Sequence, residues 1–492
     1  MNGPLVDLLG TADPRAAAVR DPSGTVLTHG ELEQQSTRLA LGLVRAGVGA
    51  GDRVAYQVQK SPSTLLVHLA LLRCGAIQVP LNPDYSDQEV RALLDDAEPV
   101  MLIRPTERGV LPGSWQTLSL DANGGGSLRA LLGDGEEALP QIAPGDGAAL
   151  LYTSGTTGRP KGALLSHANL ATNAETLVSA WGFCSSDVLL HVLPLFHTHG
   201  LFVAAHCALT SGASMVLLPR FDVSQVLEEL PSCSVMMGVP THYTRLLADE
   251  RFGAPQCKGV RLFVSGSAPM TPVVHAEFTE RTGAQILERY GMTETSMLTS
   301  NPLEGQRRPG TVGPALPGVS IRLVGEDDQR VADGETGDVQ VSGANVFSGY
   351  WRRPDLLDET FTADGWFRTG DLGRLDADGY LELVGRSKDL VITGGLNVYP
   401  KDVEQVLDSL PGVSESAVVG LPDADLGEVV VGVVVAESGV QLDPEWLRAA
   451  ARLQLAGYKT PKRVVVVETL PRNVMGKVQK SLLRDQIIES TR

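Results

Sequence analysis

The chain reads as an α/β protein in two unequal parts. A large amino-terminal domain has mostly parallel sheets covered by helices and ends in a β subdomain; a small carboxy-terminal domain is α+β. Three observations predict this. Strand-length apolar runs alternate with helical stretches as far as a strand near 285 to 289, the pattern of parallel sheets with helical crossovers. Between 311 and 384 that alternation gives way to short strands bounded by turns, among them the hairpin-like Asp376-Ala377-Asp378-Gly379. From about 389 onward, helix 400 to 410, strands 415 to 420 and 428 to 436, helix 444 to 453 and strand 463 to 467 make a compact unit. The boundary is therefore placed at Lys388-Asp389, dividing 1–388 from 389–492.

In order along the chain, Thr28-His29-Gly30-Glu31 is a capping box that opens an amphipathic helix through Leu32, Leu39 and Leu43, closed by the glycines from Gly47 to Gly51. A strand from Arg53 to Val58, a helix over 62–74 and a strand over 76–80 follow. A second capping box, Ser86-x-x-Glu89, opens another helix, and a strand over 99–103 comes next. Residues 119 to 147, with three consecutive glycines at 124–126 and acidic clusters, lack periodicity and are expected as surface loop. Ser166 is placed to cap a helix running to about Trp181. A strand at 187–193, a helix near 200–210, and strands near 214–218, 234–238, 260–265 and 285–289 complete the alternation.

Composition narrows the class of function. The chain has 492 residues, 43% of them apolar, which is the content of a globular protein. A formal net charge of −17 argues against nucleic acid or an anionic membrane surface as partner, and it requires local basic sites wherever an anionic substrate binds. The five cysteines are scattered without a C-x-x-C pair, as suits free thiols in a reducing compartment. The amino terminus lacks a basic and apolar leader, and no apolar run approaches the ~20 residues of a membrane span, so a cytoplasmic protein is expected.

Much of the chemistry gathers at Tyr152-Thr153-Ser154-Gly155-Thr156-Thr157-Gly158-Arg159-Pro160-Lys161-Gly162, which follows the apolar run 148–151. Glycines that allow close backbone approach, hydroxyl donors and a lysine suit phosphate oxygens. The spacing is not that of the Walker loop, whose lysine opens a helix. Arg289-Tyr290-Gly291-Met292-Thr293-Glu294 follows a predicted strand, where ligands of open α/β sheets bind. There Tyr290 can stack on a purine, Thr293 can donate to an α-phosphate and Glu294 can hold Mg²⁺. Asp371, in Trp366-Phe367-Arg368-Thr369-Gly370-Asp371, is a carboxylate able to accept two ribose hydroxyls.

The segment 154–162 resembles the signature loop of the adenylate-forming acyl-CoA synthetase superfamily, and further motifs recur in that family's order across nearly the whole chain. The resemblance implies ATP and Mg²⁺ as cofactors and coenzyme A as co-substrate. It also implies a mobile carboxy-terminal domain that rotates between two half-reactions. It assigns nucleotide contacts to Thr153, Ser154, Gly155, Thr156, Thr157, Gly158 and Lys161, to the turn Ser267-Ala268-Pro269, to Glu288, Arg289, Tyr290, Gly291, Met292 and Thr293, and to Asp371 with Arg386. By the same resemblance Glu294 is the metal ligand, Lys388 the hinge, Gly394 and Gly395 the lining of the coenzyme A tunnel, and Lys477 the catalytic lysine. His197 and His199, in Pro194-Leu195-Phe196-His197-Thr198-His199-Gly200, match the wall of the acyl pocket. His191, His197, His199 and His206 lie close in sequence, but no cysteine or carboxylate completes a zinc spacing.

Arg289 is the informative departure, because many relatives that activate aromatic or aliphatic acids carry a small residue there. A guanidinium suits a second carboxylate held bidentately, with His199 and Arg245 as secondary candidates for it. Together with Val239-Pro240-Thr241-His242-Tyr243-Thr244-Arg245, this segment resembles the malonate-activating branch of the family. The expected reaction is ATP-dependent ligation of a short dicarboxylic acid, malonate or methylmalonate, to coenzyme A through an acyl-adenylate, for which a monomer suffices. Three alternatives stay open: neutralisation of Arg289 by Glu288 or another acid, an uncharged short-chain or aromatic acid as substrate, and a nucleotide-binding regulator that lacks turnover.

Overall fold

The protein is described by a computed structural model that covers residues 4–10, 12–133, 138–153, 161–325, 327–423, 426–473 and 476–491. Two sheets form the body of the large domain. The first has six strands in the order 116–119, 101–104, 53–56, 77–80, 147–153, 161–166, all parallel except the last pair. The second has eight, in the order 296–300, 286–292, 262–265, 235–238, 188–191, 214–217, 17–20, 26–28, with the antiparallel pairs confined to its two ends.

Helix Pro62–Arg73 shows why the two sheets share a core. It is buried on nearly every side, through Leu65, Val67, Leu69, Leu71 and Leu72, and a helix that is apolar all round needs cover on all sides. Leu65, Leu69 and Leu72 join one hydrophobic cluster with Leu151 of the first sheet and Leu189 and Met215 of the second. The two capping boxes form as the sequence predicts: Thr28 Oγ1 accepts from Glu31 N at 3.1 Å, and Ser86 Oγ from Glu89 N at 3.3 Å. Ser166 likewise caps the helix His167–Ala180.

Several elements differ from expectation. The segment Lys161–Ser166, read as the end of a loop, is a strand that pairs with Gly147–Thr153. Gly162 permits this approach, since a Cβ there would lie 2.8 Å from Leu150 Cδ1. The helix expected near 200–210 is a π-helix, His199–Ala205, that continues as the α-helix His206–Ser211. Strands Ala17–Arg20 and Val26–Thr28 carry no alternation long enough to signal them. In its described part, the stretch 119–147 is irregular chain with one 3₁₀ turn, Ser127–Leu131.

A four-stranded antiparallel sheet, 319–324, 337–343, 367–375 and 381–386, forms the β subdomain. Strands from Val391 onward pair only with one another in a five-stranded sheet with its own hydrophobic cluster around Val403, Leu407, Val418 and Val434. Charged contacts join this sheet's domain to the β subdomain. Arg374 lies 3.4 Å from Asp402, and Lys401 Nζ donates to Leu383 O at 2.5 Å with Glu382 at 3.6 Å. No helix among the described residues is long and apolar enough to cross a membrane.

Candidate active site

The nucleotide end is assembled where the eight-stranded sheet meets the β subdomain. Strand Ile286–Met292 ends in a register shift between Tyr290 and Gly291, and a bulge of this kind re-aims side chains. Gly291 allows it, because a Cβ there would overlap Ser296 O. Tyr290 Oη then donates to Asp371 Oδ2 at 2.5 Å. Asp371 and Arg386 are direct cross-strand partners, and Arg386 Nε reaches Asp371 Oδ1 at 3.0 Å. Asp371 is only 6% exposed, so both its oxygens are held by named donors inside the protein. Burial, together with the facing Asp371 carboxylate, raises the Tyr290 phenol well above its ordinary range.

Glu294, 5% exposed, accepts from Tyr350 Oη at 2.9 Å, and burial raises its carboxyl above the ordinary carboxylate range. Thr293 beside it is half-buried in the turn between two antiparallel strands. Lys161 Nζ lies 5.4 Å from the centre of the Tyr350 ring, so the described end of the glycine- and threonine-rich loop comes to the same place. Thr153 closes strand Gly147–Thr153, whereas Ser154, Gly155, Thr156, Thr157 and Gly158 lie outside the described residues. Tyr350 was not singled out from sequence, because nothing in its neighbourhood distinguishes it from a core aromatic.

From the other side comes the loop that carries Lys477. Asn473 N donates to Lys477 O, and Asn473 Oδ1 accepts from Lys477 N at 3.0 Å. The loop is tied to its domain by the ion pair of Arg472 with Glu415 and by Lys480 to Glu404 at 2.6 Å. Gly476 rests on the large domain: a Cβ there would lie 2.9 Å from Thr241 Oγ1. Burial above all, then the charge of Arg386, pushes the Lys477 ammonium down to about 8, against the opposing pull of Asp371.

Arg289, expected from sequence at the acyl end, is 3% exposed. Successive side chains of a strand point to opposite faces, so Glu288 and Arg289 part company. Glu288 Oε1 accepts from Gly310 N at 3.3 Å, and burial pushes its carboxyl up to about 7. The Arg289 guanidinium instead lies against Gly266, where a Cβ would sit 2.5 Å from Cζ, and its Nε and Nη2 have no hydrogen-bond partner among the described residues. Burial pushes Arg289 down to about 9, which leaves it charged at neutral pH. Neutralisation by Glu288 is therefore not what the fold does.

His199, 3% exposed, stands 3.3 Å from Ser267 Oγ through Nδ1, with Nε2 unpartnered. Ser267 adopts φ 70°, and the turn Gly266–Pro269 that holds it follows strand Leu262–Ser265. His197 Nε2 is likewise buried and unpartnered, and burial brings this imidazole down to about 4. Arg245 is not part of this group. Tyr243, Leu246 and Leu247 take the inner face of helix Pro240–Leu247 and leave Arg245 on the solvent side.

Lys388 is exposed in the 3₁₀ turn Ser387–Asp389. Gly394 and Gly395, with φ of 56° and 75°, are the two-residue turn of the hairpin Val391–Thr393 and Leu396–Val398, so their glycine character already follows from a turn that needs two positive φ values.

Comparison with known proteins bears on this geometry. Residues 10–351 match the AMP-binding enzyme family, and residues 402–477 match the carboxy-terminal domain of AMP-binding enzymes. The chain belongs to the AMP-binding enzyme family. Among curated members, the sulfoacetate–CoA ligase of Cupriavidus necator is 36% identical over 93% of this chain and 92% of its own. The mitochondrial malonate–CoA ligase of Homo sapiens is 35% identical over 95% of this chain and 90% of its own. The crystal structure of ATP-bound MatB from Rhodopseudomonas palustris is 45% identical, covers 100% of both chains and gives a TM-score of 0.96, against 0.85 for the apo form of the same protein. The family's members here are acid–thiol ligases, and so is this chain.

Proposed function

We propose that the protein ligates malonate, with methylmalonate as a second candidate, to coenzyme A through an acyl-adenylate, releasing pyrophosphate and then AMP. The observation that carries this reading is Arg289: a buried, charged guanidinium with two nitrogens unpartnered and its neighbouring carboxylate turned away. An isolated buried cation is costly, so the site is built for an anion that arrives with the substrate. The carboxylate at the far end of a short diacid meets that need, bidentately. Among the acids named for the relatives, which also include ferulate and indoleacetate, malonate and sulfoacetate each carry an anionic group at both ends.

In the first half-reaction a carboxylate oxygen of the acid attacks the α-phosphorus of ATP, and the bond to the β-phosphate bridging oxygen breaks. Lys477 and Thr293 are assigned to the charge that gathers on the α-phosphoryl oxygens, where a compact ammonium and a fixed hydroxyl act without reorganising. Asp371, already oriented by Tyr290 and Arg386, is assigned to the ribose hydroxyls, and the glycine- and threonine-rich loop with Lys161 to the leaving pyrophosphate. Glu294 fits a divalent cation, since it is a buried carboxylate with one hydroxyl partner and no lysine or arginine within ion-pair reach among the described residues. Mg²⁺ held there would complete its shell with phosphate oxygens and neutralise part of their charge.

In the second half-reaction the thiol of coenzyme A attacks the acyl carbon and AMP leaves. For this we assign Lys388 as the hinge between 1–388 and 389–492, and Gly394 with Gly395 to the thiol path in the rotated arrangement. The closer match to the ATP-bound than to the apo form of MatB supports reading this structure as the adenylate-forming arrangement. A pyrophosphate-release assay with malonate, methylmalonate, succinate, sulfoacetate and acetate tests the proposal. Malonate or methylmalonate is expected to lead; a preference for acetate over every dianionic acid would overturn it.

A further inference from the structure

Lys60 is a buried amine that the chemistry above does not use, and burial lowers it well below the ordinary lysine range. It lies in the loop after strand Arg53–Tyr56 of the six-stranded sheet, is 9% exposed, and donates from Nζ to His191 O at 2.8 Å. No carboxylate lies within ion-pair reach of it among the described residues. His191 is the last residue of strand Val188–His191, which belongs to the other sheet. Its ring, 1% exposed, stands 2.9 Å through Nε2 from Gly200 O, and Nδ1 has no partner among the described residues. A carbonyl only accepts, so Nε2 carries the proton and the ring is held in one tautomer.

Gly200 is the second residue of the π-helix that begins at His199, and its own position is tight: a Cβ would run into Pro194 O. π-helical turns recur at functional sites because they shift side chains out of the regular helical register. His199 opens this π-helix and stands 3.3 Å from Ser267 Oγ, next in the chain to the Gly266 against which the Arg289 guanidinium lies.

We infer that Lys60 and His191 are positioning residues for the acyl end of the site. Lys60, in the loop after an inner strand of one sheet, clamps the end of an inner strand of the other sheet. His191 carries that clamp to the first turn of the π-helix and so fixes His199 against Ser267 and Arg289. The inference rests on the acyl assignment made above, so its test is scored on whichever acid the wild type turns over fastest.

The test measures acid-dependent ATP–pyrophosphate exchange, with separate KM values for acid and ATP, for Lys60→Met, His191→Leu and His191→Gln, alongside thermal unfolding. A displacement of about 1 Å at a reacting centre costs up to roughly 10²-fold. Lys60→Met and His191→Leu are therefore expected to raise the acid KM by about tenfold or more. The ATP KM is expected to stay within about twofold in both. His191→Gln keeps an N–H for Gly200 O and is expected to recover most of the loss. The inference is overturned if the acid KM is unchanged, if acid and ATP KM rise together with a fall in thermal midpoint, or if His191→Gln behaves as His191→Leu. A wild type that prefers acetate overturns the diacid reading alone.

Discussion

The guanidinium of Arg289 lies against the backbone of Gly266, so closely that a methyl group on Gly266 would sit 2.5 Å from Cζ. The pairing needs a residue without a side chain, and it turns two positions 23 residues apart in sequence into one feature of the acyl end. Gly266→Ala is expected to displace the guanidinium and raise the malonate KM. Arg289→Met removes the charge while filling similar volume. Its malonate kcat/KM is expected to fall by about 10²–10³-fold or more, the loss for an anion left buried and unpaired. Its ligand-free thermal midpoint is expected to hold or rise, because an unpartnered buried charge has been taken away. A midpoint that fell in step with activity would make Arg289 a structural residue.

Lys477 supports a half-reaction test. Lys477→Ala is expected to slow adenylate formation by about 10²–10³-fold, as for loss of one preorganised donor to developing charge. Thioester formation from supplied malonyl-adenylate is expected to survive. The ammonium is the active form and has been pushed down to about 8, so adenylation by the wild type is expected to decline as pH rises through about 8. The pH profile of the residual Lys477→Ala activity should lack that limb. Equal losses in both half-reactions would remove the support for domain alternation.

Asp371 is gripped by Tyr290 at one oxygen and by Arg386 at the other before any nucleotide binds. Tyr290→Phe deletes one grip and keeps the ring. A hydrogen bond to a charged group contributes about 1.5–3 kcal/mol, so the ATP KM is expected to rise by roughly tenfold or more. The acid KM should change little. Isothermal titration with ATP in the absence of acid checks this, and unchanged ATP affinity would mean that Asp371 is held well enough by Arg386 alone.

All nine histidines are depressed below their ordinary range, with burial as the leading cause in each. His68 and His206 show the geometry: their Nε2 atoms stand 3.0 Å apart, which requires one to donate and the other to accept. His68 Nδ1 donates to Gln78 Oε1 at 2.9 Å, so its Nε2 is the acceptor and both rings are neutral. A base with a lowered folded pKa binds fewer protons folded than unfolded, so stability is complete above the unfolded value of about 6.5 and falls as pH drops below it. Glu288, Glu294 and Asp408, raised by burial, act in the opposite direction but are fewer. The urea midpoint is expected to fall steadily from pH 7 to pH 5; a flat profile would contradict the buried neutral histidines.

The capping boxes at Thr28 and Ser86 and the alternation of strand and helix were legible because they depend on residues three or four apart, or on the period of one element. The Lys161–Ser166 strand was not, because its pairing depends on what Leu150 and its neighbours offer across the sheet. Arg245 was a secondary candidate beside Arg289 in sequence, and burial of the other face of its helix left it on the solvent side. Tyr350 and Lys60 carry no local signal, and the long-range partnerships carry none either: Lys60 and His191 are 131 residues apart, and Tyr290 and Asp371 are 81 apart.

The amino-acid sequence by itself determined the chemical inventory of this protein: a glycine- and threonine-rich loop, the Tyr290 to Glu294 segment, Asp371, Lys477 and an arginine where a small residue is common. Those are properties of residue type and short spacing, and they were enough to place the chain in its family. The tertiary structure decided which of those charges are paired. Glu288 and Arg289 are neighbours in the chain, yet the pleat of the strand sends them to opposite faces, into different surroundings. Whether a buried charge meets a partner there depends on residues far along the chain, and that is why the fold makes Arg289 a candidate binding group.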